Sequence, residues 1–471
     1  MHPTSLPGPN GVGELGPAAF QFADWLHAAG QSVWQVLPLG PIGYGESPYQ
    51  LFSAFAGNPL LISLETAERP DFPEGPVDFE RVIPWKQQLL RQAFKRFSPD
   101  AEFDTFTTAN REWLDPYAKF MALKDANDGV AWTEWSPAVH PDPHAVAYHK
   151  FTQFEFFRQW DALHTYCAGL GIRLMGDVPI YVAHDSVDVW ANPEVFQLDE
   201  AGRPLAVAGV PPDYFSSTGQ LWGNPVYRWD RMAATGYQWW IDRMRAAFRM
   251  FDLVRMDHFR GFEAYWEVAA SEPTAVNGSW VQGPGSELFT ALEAALGPLP
   301  IVAENLGVIT PEVEAIRNEF HFPGMAVLQF AFGTDPQASS FQPHNYTQNM
   351  VAYTGTHDND TAMGWWNSEG GDSTRSAADV RREKARARAY LNTRGTEMNW
   401  TLIRTIMASV ANTVIVPAQD VLGLGSEARM NTPSVPSGNW RWRLREGELT
   451  PAHSRRLRTL AKLYERSIFS R

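Results

Sequence analysis

The sequence predicts an α/β fold, which we interpret as a (β/α)8 barrel, and three observations support this. Short β-branched or apolar runs recur through the 471 residues, and each is followed by a polar loop and then a helical pattern. The runs are unbroken rather than alternating, as expected of parallel strands that are covered on both faces. Strands that alternate with helices favour a parallel sheet, and a barrel of eight such units accommodates a chain of this length.

Seven runs are predicted as strands, and two helix starts are marked by a capping residue followed by proline. Thr310 with Pro311 and Thr450 with Pro451 are these starts, since threonine caps a helix and proline suits its first position. The predicted strands, in chain order, are 33–39, 173–180, 252–257, 300–305, 326–331, 350–356 and 412–420.

The aromatic-rich interval between the first two predicted strands is too long for a loop in a compact domain. We therefore expect one catalytic domain over residues 1–471, with inserted subdomains near 40–172 and 185–250 that cover the C-terminal face of the barrel. Within the first insertion, residues 61–64 are predicted as a further strand.

Composition narrows the function. With 53 acidic and 39 basic side chains the formal charge is −14, which disfavours nucleic acid and anionic membranes as partners. Cys167 is the single cysteine, so we expect helix filling and a reducing compartment. No leader-like or bilayer-spanning apolar segment is evident, which predicts a soluble, cytoplasmic protein. The basic run 381–390 has the spacing of a solvated helix face.

Three predicted strands end on or just before a carboxylate: Asp257, Glu304 and Asp358. The active site of a barrel lies at the C-terminal ends of its strands, so these side chains are expected to meet there. Any one of them is equally well explained as a helix cap or a turn residue. Gathering all three raises their pKa values and does not serve stability, so the set favours a functional site.

The stretch LVRMDHFRGF surrounds Asp257 with three possible cations, Arg255, His258 and Arg260. Strand alternation puts Arg255 on the same face as Asp257, where its guanidinium is expected to keep the aspartate ionised. Glu304 follows apolar residues with no cation in its own segment, which predicts a raised pKa and a proton to donate. An ionised and a protonated carboxyl together cleave a glycosidic bond with retention.

Aromatic loops at 43–50 and 211–225 are expected to reach the barrel mouth. Aromatic rings there either stack on pyranose rings or pin the loops by burial, and the sequence leaves both readings open. His357 is expected to help Asp358 grip sugar hydroxyls, and His258 is expected to contact substrate. The candidate sugar platforms are Tyr44, Tyr49, Tyr214, Phe215 and Trp222.

GVGELG, residues 11–16, matches the dinucleotide-binding fingerprint but follows a proline-rich loop rather than a strand, so we interpret it as a glycine-rich turn. THDND, which contains His357 and Asp358, has no accompanying metal-binding motif. The sequence therefore predicts neither a cofactor nor a metal.

Long motifs through the chain, among them HPTSLPGPNGVGELG, PPDYFSSTGQLWGNPVY, VRMDHFRGF, WVQGPG, AENLGVITPEV and YTGTHDNDT, resemble those of the 4-α-glucanotransferases called amylomaltases or disproportionating enzymes, glycoside hydrolase family 77. The resemblance implies a (β/α)8 TIM barrel of the α-amylase superfamily. It also implies transfer of α-1,4-glucan segments between maltooligosaccharide, starch or glycogen-derived chains, without a cofactor. We expect a monomer.

The resemblance implies a role for each matching residue. Asp257 corresponds to the nucleophile, Glu304 to the general acid/base and Asp358 to the transition-state stabiliser. The residues implied around the cleaved sugar are Arg255, His357 and Asp177. The loop aromatics Tyr49, Tyr214, Phe215 and Trp222 resemble residues that contact the glucan.

The sequence departs from the family pattern in two places. Asn305 follows Glu304 where an aspartate is usual, which changes a neighbouring charge. An apolar strand usually leads into HPTSLPG, whereas this sequence begins at Met1, so the first barrel strand is expected to be truncated and stability reduced. A version extended by that strand that melts at the same temperature would contradict this.

Two alternatives stay open from the residues. The same three acids suit an α-1,4-glucan hydrolase with a more open mouth, in which water rather than a sugar hydroxyl takes the intermediate. A non-catalytic glucan-binding barrel would carry the aromatic loops without needing the acids.

Overall fold

The computed structural model describes residues 1–64, 71–212, 216–370 and 376–470. Within those residues the strands are β1 Val33–Gln35, β2 Arg173–Val178, β3 Ala206–Val210, β4 Gln220–Pro225, β5 Leu253–Met256, β6 Ala264–Ala269, β7 Gly278–Gln282, β8 Ile301–Ala303, β9 Gly324–Val327, β10 Met350–Tyr353 and β11 Thr413–Ile415.

Several helices begin where the sequence supplies a side-chain cap. Asp142 accepts hydrogen bonds from two backbone amides at the start of the longest helix, and Thr450 forms a capping box with His453. The α-helices of the described residues are α1 Pro17–Ala28, α2 Phe79–Arg96, α3 Ala101–Ala109, α4 Arg111–Ala126, α5 Pro143–Gly169, α6 Val187–Ala191, α7 Trp229–Ala234, α8 Gln238–Met250, α9 Ser286–Leu296, α10 Pro311–Glu319, α11 Ala362–Asn367, α12 Ala377–Leu391, α13 Met398–Met407, α14 Ala418–Leu422 and α15 Pro451–Leu463.

Seven parallel strands form the barrel wall in the order β1-β2-β5-β8 and β9-β10-β11. Helices begin at Pro311 and Pro451 as predicted, although Thr310 makes no capping hydrogen bond. Six of the seven predicted barrel strands are confirmed, each shorter than predicted, whereas the seventh, β9, begins before the predicted 326–331 and shares only its first two residues. Strand β1 ends at Gln35 because the following prolines cannot donate to a ladder. Region 326–331 lies mostly in a 3-10 turn, Leu328–Phe332, and region 412–420 divides into β11 and α14.

The main hydrophobic core lies between the strands and the helices outside them. Trp160 on α5 is fully buried and donates to the Met250 carbonyl at the end of α8, at 3.1 Å. Cys167 is also buried on α5, and burial raises the pKa of its thiol to about 12, so it fills the core as expected. No helix in the described ranges has the length and apolar character needed to cross a membrane.

The barrel has a seam between β1 and β11. The two strands end their respective sheets, and residues from both line a cavity of about 100 Å³. The Met1 carbonyl accepts from the Trp34 indole at 2.7 Å, which ties the first residue to β1. His357, from the turn after β10, and Arg255 on β5 also line this cavity.

The two predicted insertions contain different structures. Region 40–172 holds α2 to α5 and, in its described part, no strand. Leu61 ends a 3-10 turn, Pro59–Leu61, and 62–64 have no regular structure, so the strand predicted at 61–64 is wrong. Asn58 caps that turn by accepting from the Leu60 amide at 3.0 Å. An antiparallel sheet, in the order β4-β3-β6-β7, lies between residues 206 and 282 and continues past the expected limit at 250. The division into subdomains stays a prediction.

Candidate active site

Four ionisable side chains lie at the carboxyl ends of β2, β5 and β8. The ladder pairs Asp177 with Arg255, and Met256 with Ala303. Asp257 and Glu304 each follow one member of the second pair, so they leave adjacent strands side by side, where strands are about 4.8 Å apart. We call Asp177, Arg255, Asp257 and Glu304 the strand-end group.

Arg255 is the centre of the strand-end group. Its Nη1 lies 2.9 and 2.7 Å from the two carboxylate oxygens of Asp177 and 2.8 Å from Oδ1 of Asp257. Burial works against the guanidinium charge, but the two aspartates outweigh it and raise the pKa of Arg255 well above its ordinary value. One permanently charged cation is therefore shared by two carboxylates.

Glu304 is buried, and burial raises its pKa from 4.5 to about 8, with Arg255 acting in the opposite direction and Asp257 adding to the rise. Its oxygens accept from the His258 amide at 2.8 Å and from the Leu306 amide at 2.9 Å, which fixes the carboxyl. At neutral pH this residue holds a proton while the neighbouring Asp257 is paired with a cation, which is the electrostatic contrast expected from the sequence.

Asp177 is the most deeply buried member of the strand-end group, with a side chain that is fully buried. Burial raises its pKa to about 6, with Arg255 acting in the opposite direction. The Tyr49 hydroxyl donates to Asp177 Oδ2 at 2.9 Å. Burial, and to a lesser extent the negative charge of Asp177, raises the pKa of Tyr49 well above its ordinary value. Tyr49 therefore acts as a neutral donor that connects the first aromatic loop to the barrel strands.

Asp358 reaches the site from the turn after β10 and is held by the C-terminal segment. Asn431 Nδ2 donates to Asp358 Oδ1 at 2.6 Å, and Arg429 Nη2 donates to the Asp358 carbonyl at 2.7 Å. His357 Nε2 lies 3.4 Å from Asp358 Oδ2. The Asp358 side chain is 46 % exposed, against 25 % for Asp257. We call His357, Asp358, Arg429 and Asn431 the turn group.

An aromatic stack joins the two groups. The Tyr49 ring stacks on His357 with centroids 5.2 Å apart, and Trp440 lies 5.8 Å from each of them. Trp222 on β4 meets the His258 ring edge-on at 4.8 Å. The structure therefore brings together Asp177, Arg255, Asp257, Glu304, His357, Asp358 and Tyr49, while Trp222 and His258 flank them.

Two of the three side chains expected to act as cations beside Asp257, His258 and Arg260, do not form an ion pair with it. Burial lowers the pKa of His258 to about 4, with Asp257 acting in the opposite direction, so the ring is neutral. Arg260 donates to the Val308 carbonyl and packs on the Trp280 indole instead. The expectation of three cations around Asp257 is corrected to one, Arg255, because the 3-10 turn Phe259–Phe262 carries Arg260 away.

The roles of three further predicted site residues, Tyr44, Tyr214 and Phe215, stay predictions. Tyr44 is 80 % exposed in a 3-10 turn, Tyr44–Glu46, so its role as a platform stays a prediction. Tyr214 and Phe215 lie outside the described residues. The glycine-rich stretch at 11–16 forms bends and no helix, which agrees with a turn. In the described ranges no cluster of three or more His, Cys, Asp or Glu side chains is arranged to hold a metal ion.

Sequence reasoning missed Arg429, Asn431 and Trp440. They lie more than seventy positions after Asp358 in a segment without regular strands, so no strand-end rule pointed to them. Two features could have indicated them, an asparagine and a tryptophan in a segment rich in glycine and proline.

A parallel α/β barrel whose strand ends present an arginine-paired aspartate beside a buried, proton-holding glutamate defines a class, the barrel enzymes that act on glycosidic bonds. Comparison with known proteins identifies the family. Residues 1–450 match the family described as 4-alpha-glucanotransferase, glycoside hydrolase family 77, and the chain belongs to this family.

Curated relatives and solved structures agree with that assignment. The chain is 52 % identical to the 4-alpha-glucanotransferase of Thermus thermophilus, over 99 % of this chain and 98 % of the relative. It is 48 % identical to the one from Synechocystis sp., over 100 % and 97 %. It superposes on the amylomaltase from Streptococcus agalactiae in complex with acarbose with a TM-score of 0.91 and 38 % identity, covering 99 % and 98 %. Amylomaltase from Corynebacterium glutamicum, at 18 % identity, shares the fold with a TM-score of 0.78 over 99 % of this chain and 74 % of that one.

Proposed function

We propose that this protein works as a 4-α-glucanotransferase by a retaining double displacement, with Asp257 as nucleophile and Glu304 as general acid/base. One observation carries the assignment of roles. The two carboxyls leave adjacent paired strands with opposite electrostatic settings, since Asp257 is paired with Arg255 and burial raises the pKa of Glu304 to about 8. Family membership supports the same reaction.

In the first step Glu304 donates its proton to the glycosidic oxygen while Asp257 attacks the anomeric carbon, which gives a covalent glycosyl-enzyme and releases the leaving chain. Arg255 pairs with the nucleophile, 2.8 Å from its Oδ1, and so orients it for attack. The Asp257 charge then disappears into an ester, and with it one of the causes that raise the pKa of Glu304.

In the second step Glu304, now ionised, takes the proton from the 4-hydroxyl of an acceptor chain, and that oxygen displaces Asp257. The fall in the Glu304 pKa when Asp257 is esterified suits this change from acid to base. Microscopic reversibility then returns both carboxyls to their starting states, so the cycle needs only the groups at the strand ends.

Asp358 is assigned to stabilise the positive charge that develops on the sugar ring in both steps. Asn431 and Arg429 hold it without neutralising it, since one contact goes to a single carboxylate oxygen and the other to the backbone carbonyl. The second oxygen faces His357, and the half-exposed side chain is open to substrate.

The proposed substrates are maltooligosaccharides and longer α-1,4-glucans such as starch or glycogen-derived chains. Tyr49, Trp440 and Trp222 supply ring faces and edges around the catalytic groups, which supports sugar binding there. Transfer rather than hydrolysis requires an acceptor held against the intermediate with water excluded. We also propose a cytoplasmic, monomeric protein; the unpaired, buried Cys167 suits a reducing compartment.

Redistribution of maltotriose tests this function. Wild-type enzyme is expected to convert maltotriose into glucose and a ladder of longer maltooligosaccharides, with little net gain in reducing ends. The carbohydrate chromatogram gives the first quantity and a reducing-end assay gives the second. Net hydrolysis as the main outcome would favour the hydrolase, and a wild type with no turnover would favour the binding barrel; the comparisons favour neither.

A further inference from the structure

Trp280 is an exposed tryptophan to which the mechanism above gives no role. It lies on β7, the outer strand of the antiparallel sheet, and is 40 % exposed. Its cross-strand partner Trp266 meets it edge-on with centroids 5.2 Å apart. Trp266 also donates to the Ala275 carbonyl at 2.9 Å, so the inner ring is fixed while the outer ring remains open to solvent.

Arg260 supports the indole of Trp280 from below. The guanidinium carbon lies 3.6 Å from the ring centroid, and Arg260 itself is only 6 % exposed. Its Nη1 donates to the Val308 carbonyl, which anchors the cation. The indole is thus fixed with one face on a buried arginine, and a ring that is already oriented loses less entropy when a ligand stacks on it.

Two backbone connections join this platform to the side of the site where Glu304 lies. The amide of Phe259, the residue before Arg260, donates to the Glu304 carbonyl at 3.1 Å. Val308, whose carbonyl accepts from Arg260, lies in the loop that begins at Glu304 and leads to α10. The segment that carries Arg260 is therefore hydrogen-bonded at two points to the loop that carries the acid/base residue.

The position decides which part of the substrate the platform meets. In a retaining exchange the acid/base residue protonates the leaving oxygen and later activates the acceptor hydroxyl, so both leaving and acceptor chains lie on its side of the cleaved bond. A flat, immobilised ring on that side suits the apolar face of a glucose unit further along the acceptor. Exposed Gln282, two residues further along β7 and therefore on the same face as Trp280, offers a polar group for its hydroxyls.

We propose that Trp280, stacked on Arg260, is an acceptor-side platform that binds α-1,4-glucan chains beyond the sugar that reacts. The proposal rests on the proposed glucanotransferase function. It makes the enzyme prefer long acceptors, because glucose alone is too short to reach the platform while an oligosaccharide gains the stacking contact.

Two substitutions of Trp280 distinguish the contribution of its flat aromatic face from that of its apolar bulk. Trp280→Leu keeps apolar cover over Arg260 but has no flat face, and Trp280→Phe keeps a flat face. The measurement is kcat/KM for transfer from a fixed donor to maltohexaose and to glucose. Trp280→Leu is expected to lower the ratio of the two values by about five- to tenfold, the effect of one lost aromatic contact. Trp280→Phe is expected to lower it by about twofold or less.

Phe469→Ala is the matched control, since this exposed ring packs on His27 away from the strand ends and its loss should leave the ratio unchanged. An unchanged ratio in Trp280→Leu, or an equal fall in Phe469→Ala, would overturn the platform in an enzyme that transfers. A wild type that only hydrolyses would overturn the proposed function, and the acceptor platform with it, so the two failures are distinguishable. Melting temperatures identify any variant that is misfolded.

Discussion

The strand-end group and the turn group bring acids to the same site by different means. In the strand-end group the ladder fixes the backbone, a buried arginine is shared by Asp177 and Asp257, and the side chain of Asp177 is fully buried. In the turn group Asp358 is half exposed and is oriented by Asn431 from a distant segment. The first group is placed by strand register and charge, and the second by single hydrogen bonds.

The difference has an energetic consequence. Buried charges interact strongly and are costly to leave unpaired, whereas a half-exposed carboxylate is screened by water. Substitutions in the strand-end group should therefore change both chemistry and stability. Substitutions in the turn group should change mainly the rate, because water replaces the lost partner.

The largest effect is expected from Glu304→Gln, which removes the proton donor without changing its shape. The general acid/base contributes about 10²- to 10⁴-fold, so kcat for maltotriose redistribution should fall by that factor. The matched control is Asp188→Asn, another buried acid whose pKa is raised to about 6 by burial and which accepts from the Ala54 amide. Asp188→Asn should lower the melting temperature but change kcat by no more than about threefold, a smaller free-energy change than the tenfold factor of one pKa unit. An equal loss of kcat in both variants would contradict the assignment.

Arg255→Met should have the next largest effect, since two carboxylates lose their common cation. Breaking a buried ion pair costs about 3–5 kcal/mol, so the free energy of unfolding at neutral pH, which is the quantity to measure, should fall by about that amount. The pKa of Asp177 is already raised by burial to about 6, and losing the cation should raise it further. A folded-state pKa above the unfolded 3.8 means that stability is lost as pH rises from 3.8 to the folded-state pKa. In the wild type this loss ends near pH 6, whereas in the variant it continues to higher pH, so the deficit of the variant relative to the wild type should grow as pH rises above about 6.

A deficit in Arg255→Met that is the same at every pH would show that Asp177 does not depend on this arginine. Arg456→Met is the control, because Arg456 pairs with the exposed Glu397 at 2.7 Å on the outer surface. An exposed pair is worth roughly 0–1 kcal/mol, so its loss should be small at every pH.

The contrast between the two groups also explains what the sequence could predict. Asp257 and Glu304 follow apolar runs, and strand ends converge in a barrel, so their meeting was predictable from pattern alone. Asn431 and Trp440 lie in a segment whose path depends on tertiary contacts, and no periodicity locates such a segment. The antiparallel sheet was missed for a similar reason, since β3 and β7 contain glycine and small residues that weaken the strand signal.

Charge assignment from sequence was partly wrong because sequence neighbours need not be spatial partners. Arg260 lies three positions after Asp257 but packs under Trp280, and Asp177, distant in sequence, takes two of the contacts of Arg255. Glu304 was assigned a raised pKa because it has no cation in its own segment. Its pKa is raised to about 8 even though Arg255 is near, because burial outweighs that charge.

Asn431→Ala tests the turn group, with a smaller effect. The variant removes the donor to Asp358 Oδ1, and a hydrogen bond to a charged group is worth about 1.5–3 kcal/mol, so kcat/KM should fall by roughly 10- to 100-fold. The melting temperature should change little because water reaches Asp358. Asn345→Ala, which removes a surface contact to the Ser339 carbonyl, should leave both quantities unchanged. A loss of stability as large as that of Arg255→Met would erase the distinction between the groups.

Asn305→Asp should have the smallest effect and concerns a departure from the family pattern. Asn305 donates to Glu314 at 2.8 Å and accepts from the Met325 amide at 2.8 Å, which uses both ends of the amide. A carboxylate there adds negative charge beside Glu304 and should raise its pKa from about 8. The alkaline limb of the kcat/KM profile, where Glu304 loses its proton, should move up by about half to one pH unit.

Asn318→Asp is the matched control for Asn305→Asp, since it adds the same charge at an exposed position on α10 and should not move the limb. A limb that moves downward, or moves equally in both variants, would contradict the assignment of this limb to Glu304.

The most direct test of the account is to identify the carboxylate that forms the covalent intermediate. In Glu304→Gln an activated donor such as a maltosyl fluoride needs no proton to leave, so the first step proceeds while the second, without its base, is slow. Mass spectrometry of the digested protein should find the sugar on the peptide that carries Asp257. A sugar on the Asp358 peptide, or turnover of the fluoride with no adduct at all, would contradict the assignment of Asp257 as nucleophile.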